Sequence, residues 1–151
     1  MDYIREAENY LRYYRQLQIS LDHASREIAR LMHGPSGIRT AVIDMTGIRA
    51  QKPHDTLKQC YQLQQWQAMR EQTRFEIERL DEILNSISAE PGCERYKEIL
   101  LLWYVEKMDK DDIARELGYS PNSKESIYGI KNKAIRKFAV ALFGIRALQA
   151  I

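Results

Sequence analysis

The sequence contains few residues that could hold a structure together by covalent or metal bonds. Only two cysteines occur among 151 residues, Cys60 and Cys93, too few for a disulfide framework or a cysteine-rich zinc site. We expect both to be reduced thiols in a cytoplasmic protein. None of the three histidines stands at metal-ligand spacing from a cysteine. The sequence therefore predicts no metal and no other cofactor.

Long apolar runs are also missing. The longest, Ile99 to Val105, is much shorter than the roughly 20 apolar residues of a membrane-spanning helix. The start of the chain does not combine a basic head, an apolar stretch and a cleavage site, so we expect neither secretion nor a membrane partner. Phosphate-loop, dinucleotide-binding and metalloprotease motifs are absent as well. We expect acidic pairs such as Asp111 and Asp112 to be caps or solvated residues, and we predict no enzyme and no small-molecule substrate.

Glycine and proline are scarce, and their positions divide the chain. Residues 3–32 contain neither, and their apolar residues recur at steps of three and four, which predicts one long helix. Gly34 and Pro35 end this helix. A second long helix, with apolar residues in a heptad pattern, is predicted from about Asp55 to Ser88.

The two long helices have nearly equal length and are joined by a turn-rich segment, residues 34–55. Such helices most simply form an antiparallel hairpin, so we predict an all-α chain in which residues 1–90 form this hairpin. Its apolar faces pack on each other, on a second copy of the chain, or on both. The hairpin is therefore a candidate oligomerisation or partner region, and a homodimer is a candidate assembly. The loop 34–55 is long for a compact domain, so it is either functional or flexible.

Charge is distributed unevenly along the chain. The formal net charge is only +2, yet residues 124–146 contain six basic residues and one acid, so this segment carries +5 and the other 128 residues together carry −3. A basic block on a nearly neutral background is typical of an element that binds a polyanion. A solvated helix face has a similar composition, so charge alone leaves both interpretations open.

Residues 91–151 are predicted to form a second domain with a helix-turn-helix. A hydrophobic helix, Tyr96 to Val105, would support it. Asp109 begins the next helix as an acidic N-cap of the capping-box type, and Gly118 ends that helix. The following helix, Lys124 to Phe143, has inward-facing apolar residues at steps of three and four. They are Ile127, Ile130, Ala134, Phe138 and Leu142.

A helix-turn-helix binds duplex DNA by placing its second helix in the major groove. Residues near the start of that helix are predicted to read base edges, and the basic residues farther along are predicted to contact phosphates from its outer face. Gly129 either allows close approach to a phosphate or is a weak point of the helix. The predicted DNA-binding residues are Ser123, Lys124, Glu125, Ser126, Tyr128, Gly129, Lys131, Asn132, Lys133, Arg136 and Lys137.

Two stretches of this domain also carry a family resemblance. The sequence ILLLWYVEKMDKDDIARELGYS, followed by IYGIKNKAIRKFA, resembles region four of bacterial sigma factors. It resembles more closely the small phage transcriptional regulators of the ArpU and RinA type, which have a tyrosine-rich helix, an IA-x-x-LG-x-S element and a similar recognition helix in this order. The nine-residue span from Gly118 to Ile127 is longer than in typical sigma-like versions, so we expect a longer turn before the recognition helix.

The resemblance implies a sequence-specific regulator of phage late genes, such as packaging and lysis genes. Host RNA polymerase is then an additional candidate partner, and the location is the bacterial cytoplasm at the nucleoid. Two other functions remain open. A phage DNA-packaging protein of the small terminase type also joins a helix-turn-helix to a helical oligomerisation region, and it forms rings. A helical adaptor would use the same basic helix to bind an acidic protein.

Overall fold

The computed structural model describes residues 2–33, 53–119 and 124–150 of the chain. In that part of the chain the regular structure is helical and no strand occurs, which confirms the all-α expectation. None of the described helices is both long and apolar enough to cross a bilayer. The helices are α1 (Tyr3–Arg12), α2 (Tyr14–His33), α3 (Pro53–Ser88), α4 (Tyr96–Leu100), a π-helical segment (Leu101–Val105), α5 (Lys110–Glu116), α6 (Lys124–Phe143) and α7 (Ile145–Ala150).

The first long helix is interrupted once. α1 begins after Asp2, whose carboxylate accepts hydrogen bonds from the backbone N–H groups of Ile4 and Arg5 at 3.1 Å and so caps the helix. The helix breaks at Tyr13, where φ is −91° and ψ is 0°, and α2 follows at once. The single unbroken helix predicted over residues 3–32 is therefore wrong at this point. Neither glycine nor proline stands there, so no local signal in the sequence marks the break.

The second long helix begins slightly earlier than predicted and ends where expected. α3 starts at Pro53, before the predicted start at Asp55. Proline is favourable in the first turn of a helix, because N–H groups there have no acceptor within the helix and proline lacks the N–H group. α3 ends at Ser88, and a tight turn with Gly92 at φ +84° follows. The rest of the predicted loop, residues 34–52, lies outside the described residues.

Contacts within the chain divide it into two compact units. Unit 1 comprises Met1–Arg15 and Glu78–Ile151, and unit 2 comprises Gln16–Ile77. These boundaries differ from the division at residue 90 expected from the sequence, because the first turns of the chain and the last turns of α3 belong to the same unit as the C-terminal helices. The antiparallel pairing of the two long helices stays a prediction.

Unit 1 has a closed apolar core. α6 packs against α1, α4, α5 and α7, and α1 also contacts the π-helical segment and α7. The Tyr14 hydroxyl donates a hydrogen bond to the Asp81 carboxylate at 2.5 Å. On α7, Ala147 is buried whereas Ile145 and Leu148 are exposed, so this short helix packs through its small residue. The largest fully buried side chains are Leu11, Leu80, Leu84, Ile99, Leu100, Ile113, Ile127 and Phe138.

The hydrophobic helix predicted over residues 96–105 is present but changes its winding. After α4, the Glu106 N–H donates to the Leu101 carbonyl, five residues back, at 2.9 Å. Such widened turns are rare and are often found at functional sites. Lys107 then adopts φ +55°, which ends the helix before α5 begins.

Unit 2 buries fewer apolar side chains than unit 1 among the described residues. The rings of His23 and Trp66 meet edge to face, with 5.4 Å between their centroids. The buried apolar side chains of its described residues are Ala24, Ile28, Leu31 and Ile77. Its exposed large apolar side chains are Ile19, Leu57, Tyr61, Met69 and Phe75.

Candidate nucleic-acid interface

The first helix of the predicted DNA-binding pair is α5. It ends at Gly118, which adopts φ +78°, a conformation that costs residues other than glycine about 1–2 kcal/mol. The N–H groups of Gly118 and Tyr119 donate to the carbonyls of Arg115 and Ala114 at 3.2 and 2.7 Å. These two bonds form a Schellman motif, so Gly118 ends the helix as the sequence predicts.

The start of α5 differs from the expected capping box. Asp109 is the N-cap residue, but its side chain makes no capping hydrogen bond. Asp112, the expected reciprocal partner, pairs instead with Arg115 on the same helix at 2.5 Å. Acidic residues in this first turn suit the positive end of the helix dipole, whereas Lys110, at the first helical position, does not.

A small buried cluster joins α5 to α6. Its centre and its partly buried surroundings are Ile113, Ala114 and Ile127, packed with Leu102, Trp103, Met108, Leu117 and Tyr119. The small side chain of Ala114 lets the two helices approach closely. The orientation of α6 against α5 is therefore determined by packing.

Arg95 stabilises the turn after α5, a role that no pattern in the sequence predicts. Its guanidinium donates to the Leu117 carbonyl at 2.6 Å, one of the carbonyls that a helix end leaves without an intrahelical partner. The same group lies over the Tyr119 ring, 5.3 Å from its centroid. An arginine 22 residues earlier in the chain than the carbonyl it binds carries no local signal for this role.

α6 has the bounds predicted from the sequence. Three of its predicted inward residues, Ile127, Ala134 and Phe138, are fully buried. The other two, Ile130 and Leu142, are half-buried. The inward face of this helix is therefore confirmed.

Four residues form a line along the exposed side of α6, and we call them the outer stripe: Ser126, Gly129, Lys133 and Arg136. Steps of three, four and three residues place them on one face of the helix. Ser126 and both basic residues are exposed. At Gly129 an added Cβ would meet no atom within 4 Å, so packing within the protein does not require glycine there. With the described residues, neither Lys133 nor Arg136 forms an ion pair, and both cations can bind a partner.

Lys131 does not lie on the outer face, contrary to the prediction. Its side chain is only 8% exposed. Its ammonium lies 4.8 Å from the centroid of the Trp103 ring and 4.6 Å from that of the Tyr128 ring. The residue stands at the edge of the buried face of α6, where a long alkyl chain can pack on apolar neighbours. The aromatic faces then stabilise its charge.

Lys137 also contacts other residues of unit 1. Its ammonium forms an ion pair with Glu90, and this hydrogen bond raises the pKa of Lys137. The ion pair connects α6 to the turn that follows α3. Of the four predicted phosphate contacts, the structure thus leaves Lys133 and Arg136 on the open side of the helix.

The remaining predicted residues lie near the start of α6. Tyr128 is 45% exposed, and the Lys110 ammonium lies 4.6 Å from the centroid of its ring. Asn132 is half-buried. Ser123 and the side chains of Lys124 and Glu125 lie outside the described part of the chain, so their roles stay predictions.

Among the described residues, no group of three or more His, Cys, Asp or Glu side chains could hold a metal ion. No protein-family model matches the chain, and no curated protein or solved structure matches it. The binding properties of α6 are therefore inferred from its own residues. It has a line of small and basic side chains, the outer stripe, opposite a buried face.

Proposed function

We propose that the chain is a sequence-specific transcriptional regulator that binds duplex DNA through a helix-turn-helix formed by α5 and α6. In this proposal α6 is the recognition helix and enters the major groove. One observation carries the proposal: the outer stripe presents two basic side chains without an ion-pair partner among the described residues, on a helix whose opposite face is buried. Such a helix can enter the groove with its orientation already determined, which lowers the entropy cost of binding.

The members of the outer stripe have different roles in this proposal. Ser126, near the start of α6, reads base edges, because the first turns of a recognition helix reach deepest into the groove. Gly129 lets the helix backbone approach the DNA, since no side chain fills the space beyond it. Lys133 and Arg136 bind phosphates and determine the register of the helix on the duplex.

The biological setting follows the resemblance to phage regulators. We propose phage late genes as targets and the bacterial nucleoid as the place of action. Host RNA polymerase is an additional partner, and a homodimer is the proposed assembly. The proposal includes no catalytic step and no cofactor.

Two double variants with equal loss of charge test the proposal. Lys133→Ala with Arg136→Ala removes the basic part of the outer stripe. Arg26→Ala with Lys58→Ala removes two exposed charges from unit 2 and is the control. Because each neutralised phosphate adds about 0.9 to the slope of log affinity against log salt, the first variant should lower that slope by about 1.8 and the control should not change it. Fluorescence anisotropy with a labelled duplex at several salt concentrations measures both.

Equal slopes for the two double variants would refute the role of the outer stripe. Circular dichroism of both proteins shows whether they keep their helical content. All of the substituted residues are exposed, so we expect both variants to fold, with stability changes within about 0.5 kcal/mol.

One observation fits the packaging alternative as well as the proposed homodimer. Unit 2 exposes large apolar side chains, including Leu57, Tyr61 and Phe75, as expected where copies of a chain associate. A packaging protein would form a ring of many copies, whereas the proposed regulator would be a homodimer. Sedimentation equilibrium of the full chain separates them by mass.

A further inference from the structure

Two lysines and two aromatic rings form a cluster where α5 begins and α6 completes its first turns. The ammonium groups of Lys110 and Lys131 each lie 4.6 Å from the centroid of the Tyr128 ring. Lys131 also lies 4.8 Å from the centroid of the Trp103 ring, and the two ring centroids are 6.1 Å apart. We call these four residues the lysine–aromatic cluster.

The lysine–aromatic cluster holds two positive charges and no negative one. Among the described residues, neither ammonium has a carboxylate partner. Two cations close to one ring repel each other, and Lys131 has also lost most of its contact with water. An anion that bound to both would offset the repulsion and replace the lost hydration.

The position of Lys110 also favours binding of an anion. It is the first residue of α5, at the positive end of the helix dipole, where acids stabilise a helix and lysine does not. Its side chain is exposed, so burial of its stem gives little compensation. The contact of Lys110 with the Tyr128 ring offsets part of this cost, and a bound anion would offset it further.

Two members of the lysine–aromatic cluster, Lys110 and Tyr128, are exposed, whereas Lys131 is only 8% exposed. Tyr128 is 45% exposed, and its hydroxyl can donate a hydrogen bond to an anion. Tyr128 lies on a different side of α6 from the outer stripe, because residues two apart on a helix do not share a face.

We propose that the lysine–aromatic cluster is a binding site for a backbone phosphate of nucleic acid, with the Lys110 and Lys131 ammonium groups as donors to its oxygens and the Tyr128 hydroxyl as a third. That the phosphate belongs to DNA rests on the proposed function. The anion site itself rests on the lysine–aromatic cluster alone. It gives the first helix of the pair a contact with the DNA backbone, the part of the duplex that this helix crosses in helix-turn-helix proteins.

The emission of Trp103 reports directly on this site. The chain has two tryptophans, so Trp66→Phe leaves Trp103 as the sole one. In this background the full chain is titrated with inorganic phosphate, with sodium chloride at matched ionic strength, and separately with duplex DNA. We expect phosphate and duplex to change the emission saturably and chloride to leave it unchanged.

Three further substitutions in the same background assign the effect. Lys110→Met removes an exposed side chain and should weaken phosphate binding several-fold while the protein stays folded. Lys131→Met should also weaken phosphate binding several-fold, and circular dichroism shows whether this variant stays folded. If Lys131→Met unfolds, Lys110→Met alone tests the site. Lys133→Met is the matched control: it should weaken duplex binding and leave the phosphate response intact. For duplex DNA, Lys110→Met should lower the salt slope by about 0.9.

The outcomes separate the site from the proposed function. Duplex binding without any change in Trp103 emission, and with an unchanged salt slope in Lys110→Met, would overturn the site and leave the proposed function standing. A phosphate response without duplex binding would keep the anion site and overturn the proposed function. A phosphate response that Lys110→Met leaves unchanged would also overturn the site.

Discussion

The two compact units are built from similar helices but are closed to different degrees. All eight of the largest fully buried side chains lie in unit 1. The described buried apolar side chains of unit 2 are Ala24, Ile28, Leu31 and Ile77, and its Leu57, Tyr61 and Phe75 are more than half exposed. Unit 1 also exposes large apolar side chains, among them Ile145 and Leu148. The units thus differ mainly in the size of the core that each completes.

This difference suggests a division of tasks. A binding helix must hold its side chains in a given geometry, and α6 in unit 1 has the packed support that this needs. Exposed apolar surface, as in unit 2, is common where proteins bind one another. We therefore expect substitutions in unit 1 to change stability or DNA binding, and substitutions of the exposed side chains in unit 2 to change association.

The largest effect is expected from one pair of phenylalanines. Phe138 on α6 is fully buried, and Phe75 on α3 is 63% exposed. Phe138→Ala should lower the free energy of unfolding by about 3–5 kcal/mol. Phe75→Ala should change it by less than about 0.5 kcal/mol. Urea denaturation followed by circular dichroism measures both, and comparable losses would show that unit 2 is as closed as unit 1.

A smaller effect is expected at Arg95. Arg95→Met removes the hydrogen bond to the Leu117 carbonyl and the contact with the Tyr119 ring, so we expect a loss of about 1 kcal/mol of unfolding free energy. Arg115→Met is the control, because its ion pair with Asp112 is exposed and should contribute little. Urea denaturation measures both. If Arg115→Met lowered the free energy of unfolding more than Arg95→Met, the stabilising role of Arg95 would be refuted.

The smallest effect is expected at Gly129 and has the opposite sign. Gly129→Ala should stabilise the protein by about 0.5–1 kcal/mol, because alanine favours the helix and its Cβ would meet nothing. The same change should weaken duplex binding, since the methyl group would lie between α6 and the DNA. Gly118→Ala is the contrasting control and should destabilise, because φ is +78° there. A Gly129→Ala variant that is stabilised and binds DNA as before would show that Gly129 is only a weak point of the helix.

Local patterns predicted α6 well. Its inward face follows from the steps of three and four residues between Ile127, Ile130, Ala134 and Phe138. Gly118 marked the end of α5 because glycine readily adopts a positive φ. These features depend on neighbours three or four residues away, which the sequence displays directly.

Contacts between distant parts of the chain were not predictable in this way. Lys137 pairs with Glu90, 47 residues away, and Lys131 turns toward Trp103 on a different helix. Both belonged to the predicted outer face because a lysine at the edge of a helix face is ordinarily solvated. Which lysines remain open to a ligand is decided by tertiary packing, so the outer stripe emerged only from the structure.

The central claim is that the outer stripe of α6 contacts duplex DNA. Site-specific photocrosslinking tests it most directly, with a photoreactive phenylalanine analogue placed at Ser126 in one protein and at Phe75, exposed in unit 2, in another. After irradiation with labelled duplex DNA, we predict a covalent protein–DNA product from position 126 and none from position 75. Crosslinking from position 75 alone, or only to protein from position 126, would contradict the account.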